Sequence, residues 1–553
     1  MPAWFKRNEW KLVLAAAALA FFLGTLGIHQ QQLATGRVIS WGDALYFSLR
    51  LFTFSYDLPG EGAPYSVLSP LLRVARFLAP AVVFYVAFKG LLLAVSQQVH
   101  VWRLRRWRGH CVVCGAGKRG RLVALNLRAE GLPVVVVEKD PANEAIDELR
   151  AAGVRLIVGS ATNSVCQEQA RMETAALVVA LTATEESNLE VALAASRRSD
   201  GLPVKIMAHA SRRFAEEFEE QPPFDRIRQG VHALFFDHEV AAARLLLQEF
   251  ATELAPALAQ SARSPRLLLT GDGTLLPELL GAAVVQCQYA FAGVPTLVVA
   301  TPEGDLVRGR FPGLHPQLVQ VAEMKLVELT PPALARLEMN TLLRGAGFDL
   351  VFVACRNDVE TLSLARHLAR QAAGTACRTV ACLRPSTNLM RLRATQQPVV
   401  GVDVRDLVEL GCRADVLLHG KLDREAQAIH ESYVRTQTAA GSTPATNPAL
   451  VGWGDLPESL RRANRAQADH QPIKLRTLAV SRTPETVEAL ADAEHRRWMA
   501  EKIMAGWRHG EQRDDARKLH PCLKPYSQLS EVEKQKDRDT VRTVLLKADP
   551  ASP

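Results

Sequence analysis

The chain has no even set of cysteines. Nine are scattered through 553 residues, which argues against a disulfide framework and fits a reducing compartment. It also lacks a Ser/His or Cys/His arrangement spaced to reach its one complete glycine-rich turn, so a hydride-transfer enzyme has no nominated substrate site and no catalytic residue is assigned. The formal charge of +8 lacks the compact footprint of a nucleic-acid binder. Much of it collars two apolar runs and reads as a topology signal and a lipid-headgroup contact, with no nucleic-acid partner.

Those two runs, 10–28 and 78–95, are what the sequence has instead. At about 1.5 Å per residue the first reaches roughly 28 Å, enough to cross a bilayer. The second carries only Lys89, near its inner end, where it snorkels or faces a polar lumen. Lys6, Arg7 and Lys11 precede the first run, and Arg103, Arg105, Arg106 and Arg108 follow the second. The positive-inside rule then puts both termini in the cytoplasm and the stretch 50–62, "RLFTFSYDLPGEG", outside. A cleaved secretory signal is the alternative for the first run, and the second run opposes it.

From His110 short apolar runs alternate with amphipathic segments: "HCVVCGAG", "LPVVVVEKD", "VRLIVGS", "ALVVALT" and "VKIMAHA" are strands separated by helices. This is the pattern of a doubly wound parallel sheet. The first turn reads Gly115-Ala116-Gly117-Lys118-Arg119-Gly120, directly after a strand and opening a helix. Glycines there let a backbone approach a pyrophosphate, the helix start supplies N–H groups, and Lys118 or Arg119 adds charge. Glu138 ends the second strand, where a carboxylate accepts from ribose hydroxyls and repels a 2′-phosphate, favouring NAD or another adenine nucleotide over NADP. Cys111 and Cys114 point to opposite strand faces, which disfavours a zinc pair.

Two spans flanking a pore loop, a basic linker, and "HCVVCGAGKRGRLVALNL", "VVVVEKD", "VRLIVGSATN" and "ALVVALTATEESN" together resemble a potassium channel carrying a regulator-of-potassium-conductance (RCK) domain, over residues 1–255. A second, degenerate unit begins near Arg266; its turn keeps Gly271 and Gly273 but has Leu276 at the third glycine position and Asp272 beside any phosphate. It reads as a structural part of a gating ring. After the polar stretch "TQTAAGSTPATNPALVGWGD", the segments "LPESLRRANRAQADH", "LADAEHRRWMAEKIMAGWRHGEQRD" and "KLHPCLKPYSQLSEVEKQKDRD" resemble the ryanodine-receptor repeat (RyR) domain. Its ligand candidates are Glu494, His495, Trp498, Trp507, Lys518, His520 and Tyr526, whose rings and cations suit a nucleotide-like ligand; the alternative is that the aromatics are simply core.

The resemblance implies a multidomain protein: an α-helical membrane pore module at 1–108, α/β Rossmann-like RCK domains at 109–260 and 265–430, and a small, mainly α-helical RyR domain at 431–548. It further implies four identical chains in the cell inner (plasma) membrane, a permeant ion, and an adenine nucleotide as a regulatory ligand rather than a redox cofactor. The family's filter reads TVGYGD. Here the pore candidates are Arg50, Thr53, Phe54, Ser55, Tyr56 and Asp57, with Ser55 at the first glycine position and no glycine between Tyr56 and Asp57. A non-glycine residue in a left-handed conformation costs about 1–2 kcal/mol, so altered selectivity is expected. The competing readings are a membrane-anchored nucleotide-sensing effector that disrupts the membrane and an NAD-dependent oxidoreductase.

Overall fold

A computed structural model describes residues 3–34, 36, 38–53, 69–104, 107–198, 205–211, 214, 232–310, 316–329, 347–384, 401–417 and 420–548. Phe54, Ser55, Tyr56 and Asp57 lie outside the described residues. Residues 1–106 and 107–553 form two compact units.

In the first unit, α1 (Ala3–Ala34), α2 (Trp41–Arg50) and α3 (Pro70–Leu104) pack through small residues. A Cβ on Gly24 would meet Ser48 Oγ at 2.4 Å, and one on Gly27 would meet the Leu72 backbone nitrogen at 2.6 Å. These glycines let α2 and α3 come close to α1, the usual device where lipid gives helices no hydrophobic reason to associate. Ser48 Oγ donates to the Phe21 carbonyl at 2.8 Å. Ser40 caps α2 by accepting from the Asp43 N–H, so the expected pore helix has a defined start, and Thr53 closes the 3-10 turn that follows it. Glu9–Ala34 and Pro70–Leu91 are long and apolar enough to cross a membrane. The second starts at Pro70 rather than at 78 because the helix takes Arg73 and Arg76 into its first turns. Lys89, expected to snorkel or face a lumen, pairs with Glu9, which also accepts from the Tyr85 hydroxyl.

The second unit opens on β1 (Cys111–Cys114), α4 (Lys118–Ala129), β2 (Val134–Glu138), α5 (Ala145–Ala151), β3 (Arg155–Val158), α6 (Ser164–Gln169), β4 (Leu177–Ala180), α7 (Glu185–Arg198), β5 (Lys205–His209) and β6 (His232–Phe236). Strands β1, β2 and β4 are buried end to end, as β-branched and apolar runs covered by helices on both faces must be. The sheet is parallel with order β3-β2-β1-β4-β5-β6, so the β1–α4 turn sits beside the point where strand order reverses. Cys111 and Cys114 are core residues, their thiols pushed up by burial to about 11 and about 12.

Helix α8 (His238–Ser261) leads into β7 (Arg266–Thr270), α9 (Leu275–Gln286), β8 (Thr296–Thr301), α10 (Gly304–Arg310), β9 (Glu323–Glu328), β10 (Leu350–Val353), α11 (Asp358–Gln371), β11 (Arg378–Leu383), β12 (Val402–Asp406), α12 (Leu407–Gly411) and α13 (Ala414–Leu417). The order β12-β11-β10-β7-β8-β9 repeats the first sheet strand for strand. Four longer helices complete the chain: α14 (Lys421–Ala439), α15 (Glu458–Val480), α16 (Pro484–Met504) and α17 (Glu531–Ala548). Leu478, Leu490, Tyr526, Val541 and Val544 form a small core largely their own, and a further face joins the second sheet's helices. Ile473, Met499, Ala500 and Ile503 share one apolar cluster with Leu246 and Phe250 of α8 and Leu276 and Leu279 of α9.

Candidate functional site

The β1–α4 turn gives its three glycines three different tasks. Gly115 has φ +99°, and a Cβ there would stand 2.6 Å from the Leu181 carbonyl oxygen. A Cβ on Gly120 would stand 2.0 Å from the Gly115 carbonyl oxygen, so helix α4 begins pressed onto the turn. Gly117 has ordinary backbone angles and open space where its Cβ would be. It is the N-cap of α4 and has no side-chain cap, which leaves the helix's first N–H groups facing that space. An oxyanion is the natural partner for such a set of donors.

Glu138 is buried at the end of β2. Its Oε2 accepts from the Ala116 N–H at 2.5 Å and its Oε1 from the Asp140 N–H at 2.8 Å. The carboxylate therefore props the turn from behind, and each oxygen keeps a lone pair for a further donor such as a ribose hydroxyl. Asn143 Nδ2 donates to the Ala116 carbonyl at 3.3 Å. Lys118 is exposed at the rim, its Nζ 3.4 Å from the Arg384 carbonyl oxygen. Arg119, expected beside the phosphates, turns inward instead: its Nη1 lies 3.0 Å from His209 Nδ1 and 2.6 Å from His209 Nε2.

In the second sheet the equivalent turn is filled. Gly271, with φ +137°, approaches the Ala354 carbonyl as Gly115 approaches that of Leu181. Over Gly273, however, a Cβ would meet Ala354 O at 2.8 Å and Arg384 Nη1 at 3.3 Å. Arg384 also reaches Thr274 Oγ1 and the Cys355 carbonyl, and its guanidinium pairs with Glu239. Leu276 is buried where the third glycine would be. Asp272, expected beside a phosphate, accepts from the Arg356 N–H, and register puts Thr301 where the first sheet has Glu138.

Among the C-terminal helices, Trp498, Trp507 and His520 come together, the His520 ring 5.0 Å from Trp498 and 6.3 Å from Trp507, with Lys502 Nζ 5.6 Å over Trp507. His520 Nδ1 accepts from the Cys522 N–H. Burial, with Arg513 and Lys502 nearby, lowers its pKa below the usual histidine value. His495 stacks on Trp498 at 5.5 Å, but its nitrogens are engaged by the Lys524 carbonyl and the Asp537 carboxylate. Tyr526 is buried and donates to Glu488. Lys518 Nζ donates to the Ala505 carbonyl at the end of α16. Glu494 is not in this cleft. It lies inside an ion network with Lys474 of α15 and Arg497: positions 494 and 498 are one turn apart on neighbouring parts of one face, but the buried cations hold the carboxylate.

Residues 111–227 match the TrkA-N domain family and residues 469–548 the RyR domain family. The chain carries a TrkA-N domain and a RyR domain. Over 141 residues it is 28% identical to the putative cation/proton antiporter YbaL of Escherichia coli (strain K12), covering 25% of this chain and 23% of that protein's length. Among solved structures, GsuK bound to ADP is similar at 15% identity over 75% of this chain and 98% of that one, with TM-score 0.38. The GsuK channel bound to NAD shows 14% identity over 75% and 83%, with TM-score 0.39. The TrkA-N domain of E. coli inner membrane protein ybaL shows 24% identity over 26% and 98%, with TM-score 0.22.

The sequence nominated none of the partners that surround the TrkA-N turn from a distance. His209 and His238 carry no local motif, and Arg384 follows Gly120 by more than two hundred residues. In the RyR domain, Trp498 and Trp507 are half-buried and pack on the shared core. Trp498→Ala is therefore expected to cost about 2 kcal/mol, less than the roughly 3–5 kcal/mol of a fully buried tryptophan. Chemical denaturation of the full chain checks this.

Proposed function

We propose that the chain is one subunit of a homotetrameric, ligand-gated ion channel of the inner (plasma) membrane, both termini cytoplasmic, gated by an adenine nucleotide. The observation that carries the reading is the contrast between the two turns: open and uncapped over Gly117, filled by Arg384 over Gly273. The two sheets of each chain then hold one nucleotide site between them. Gly115, Gly117 and Gly120 shape it, the first N–H groups of α4 and Lys118 receive the phosphates, and Glu138 receives the ribose. The ligand, NAD or another adenine nucleotide, acts by differential affinity for closed and open states and not as a redox cofactor. Moving a pore from 1:99 to 99:1 takes about 5.5 kcal/mol, or about 1.4 kcal/mol from each of four sites. The RyR domain is a second sensor, its cleft of Trp498, Trp507 and His520 with Lys502 suited to a nucleotide-like ligand.

Selectivity follows from the pore stretch. Without glycines at the filter positions, and with Arg50, Arg73 and Arg76 near the mouth, potassium is not strongly preferred over sodium and chloride permeates. Planar-bilayer recording in asymmetric potassium chloride tests this. Discrete steps reversing away from the potassium equilibrium potential are expected. A reversal at that potential contradicts chloride permeation, a bi-ionic potassium/sodium gradient reads the preference between the two cations, and leakage without discrete steps contradicts the channel itself in favour of a membrane-disrupting effector.

A further inference from the structure

A buried polar chain leads away from the first glycine turn. Arg119 Nη1 contacts His209, and His209 Nε2 lies 2.9 Å from His238 Nδ1. His209 ends β5, and His238 opens α8 behind its N-cap Asp237, which accepts from the Glu239 N–H. Burial, reinforced by Arg119, pushes both imidazoles down to about 3. They are thus neutral near pH 7. A neutral imidazole accepts at one nitrogen and donates at the other, whereas a guanidinium only donates. Arg119 therefore donates to the His209 ring, and one proton is shared between His209 Nε2 and His238 Nδ1.

His209, Asp237 and His238 also bring three metal-ligand atoms within 4.8 Å of one another. The guanidinium lying against His209 opposes a divalent cation there, and the hydrogen bonds already account for the closeness of the two rings. The neighbouring contacts explain more. Glu239, next to His238, is paired with Arg384, the residue after β11 that fills the second turn. The first turn of α8 is therefore held at adjacent residues by Arg384 and, through His209, by Arg119 of the first turn. Six residues further along α8, about 9 Å, Arg244 makes a two-pronged bond to Asp469 of the RyR domain at 2.7 and 2.9 Å.

We infer that Arg119 is a positioning residue which reports occupancy of the TrkA-N turn to the first turn of α8, and that Arg244 and Asp469 pass the change to the RyR domain. The inference rests on the nucleotide reading of that turn. A phosphate arriving over Gly117 offers Arg119 a charged acceptor, and charge-assisted hydrogen bonds are roughly twice as strong as those to neutral groups. The guanidinium leaves His209 and the chain to His238 breaks. Linkage makes the effect reciprocal: a ligand that shifts the RyR helices changes nucleotide affinity by the same factor.

Hydrogen–deuterium exchange of the detergent-solubilised full chain, with ADP as the probe and calorimetry on the same samples, tests this. In the wild type, ADP is expected to change amide exchange across 238–246 by about twofold or more. His238→Asn, whose amide keeps a hydrogen-bonding atom at the Nδ1 position, retains the response. His238→Ala loses it while ADP affinity stays within about threefold of wild type. ADP binding with unchanged exchange at 238–246 in the wild type overturns the inference alone, as does a full response in His238→Ala. Zinc binding that His238→Ala abolishes makes the cluster a metal site and overturns it too. No ADP binding in the wild type overturns both the inference and the nucleotide reading.

Discussion

Glu494→Ala is expected to lower the melting midpoint of the full chain by about 10 °C, the consequence of losing roughly 3–5 kcal/mol. Glu494 is buried between two cations: Lys474 Nζ lies 2.5 Å from Oε2, and Arg497 reaches both carboxylate oxygens at 2.9 to 3.1 Å. Lys474 is 0% and Arg497 4% exposed. Burial alone would push the Glu494 carboxyl up, yet Arg497 and Lys474 outweigh it and hold it well below the usual carboxylate range. Removing the carboxylate strands both cations in an interior that cannot hydrate them. Glu488→Gln, which breaks a pair with Arg538 nearer the surface, is expected to cost no more than about 1 kcal/mol. Thermal melts of the two variants side by side separate a structural carboxylate from an exposed one. Equal midpoints would return Glu494 to the list of ligand contacts.

The second large effect divides two neighbouring glycines. Gly120→Ala is expected to destabilise the TrkA-N domain by about 2–4 kcal/mol, because its Cβ would stand 2.0 Å from the Gly115 carbonyl oxygen and the whole turn would have to move. Gly117→Ala should melt like wild type, since its Cβ meets nothing within 4 Å and its φ of −62° suits alanine. The added methyl nevertheless stands where a phosphate must approach the backbone, and ADP affinity should fall about 100-fold, or about 2.7 kcal/mol. Calorimetric titration paired with melts reads both. Unchanged affinity in Gly117→Ala would place the nucleotide elsewhere.

How legible these features were follows from what each residue sees. The central strands β1, β2 and β4 are apolar along their length because helices cover both faces, so "CVVC", "VVVVE" and "LVVA" stand out in the sequence. The strands β9, "EMKLVE", and β12, "VDVRD", do not stand out: they lie at sheet edges, only partly buried, and mix in charges that hide the strand. The glycine turn was visible because its spacing is local. The inward turn of Arg119 was not, since His209 lies ninety positions away and only the fold brings them together. Glu138 stands out in the sequence as a ribose acceptor, but its support of Ala116 and Asp140 from a buried position shows only in the fold. The RyR domain keeps a small core around Leu490, Tyr526 and Val541. That Ile473, Met499 and Ile503 join α8 and α9 is a property of tertiary packing, and it packs the RyR domain against the helices of the second sheet.

That packing, with one of the two described glycine turns open, bears directly on nucleotide control of conduction. Its most direct test is single-channel recording in planar bilayers with ADP added to the cytoplasmic face, wild type against Gly117→Ala. The account predicts discrete openings in both proteins. It predicts that ADP changes the open-to-closed ratio of the wild type by about tenfold or more and leaves the variant unchanged. Openings that ignore ADP in the wild type, or that respond equally in Gly117→Ala, would contradict it.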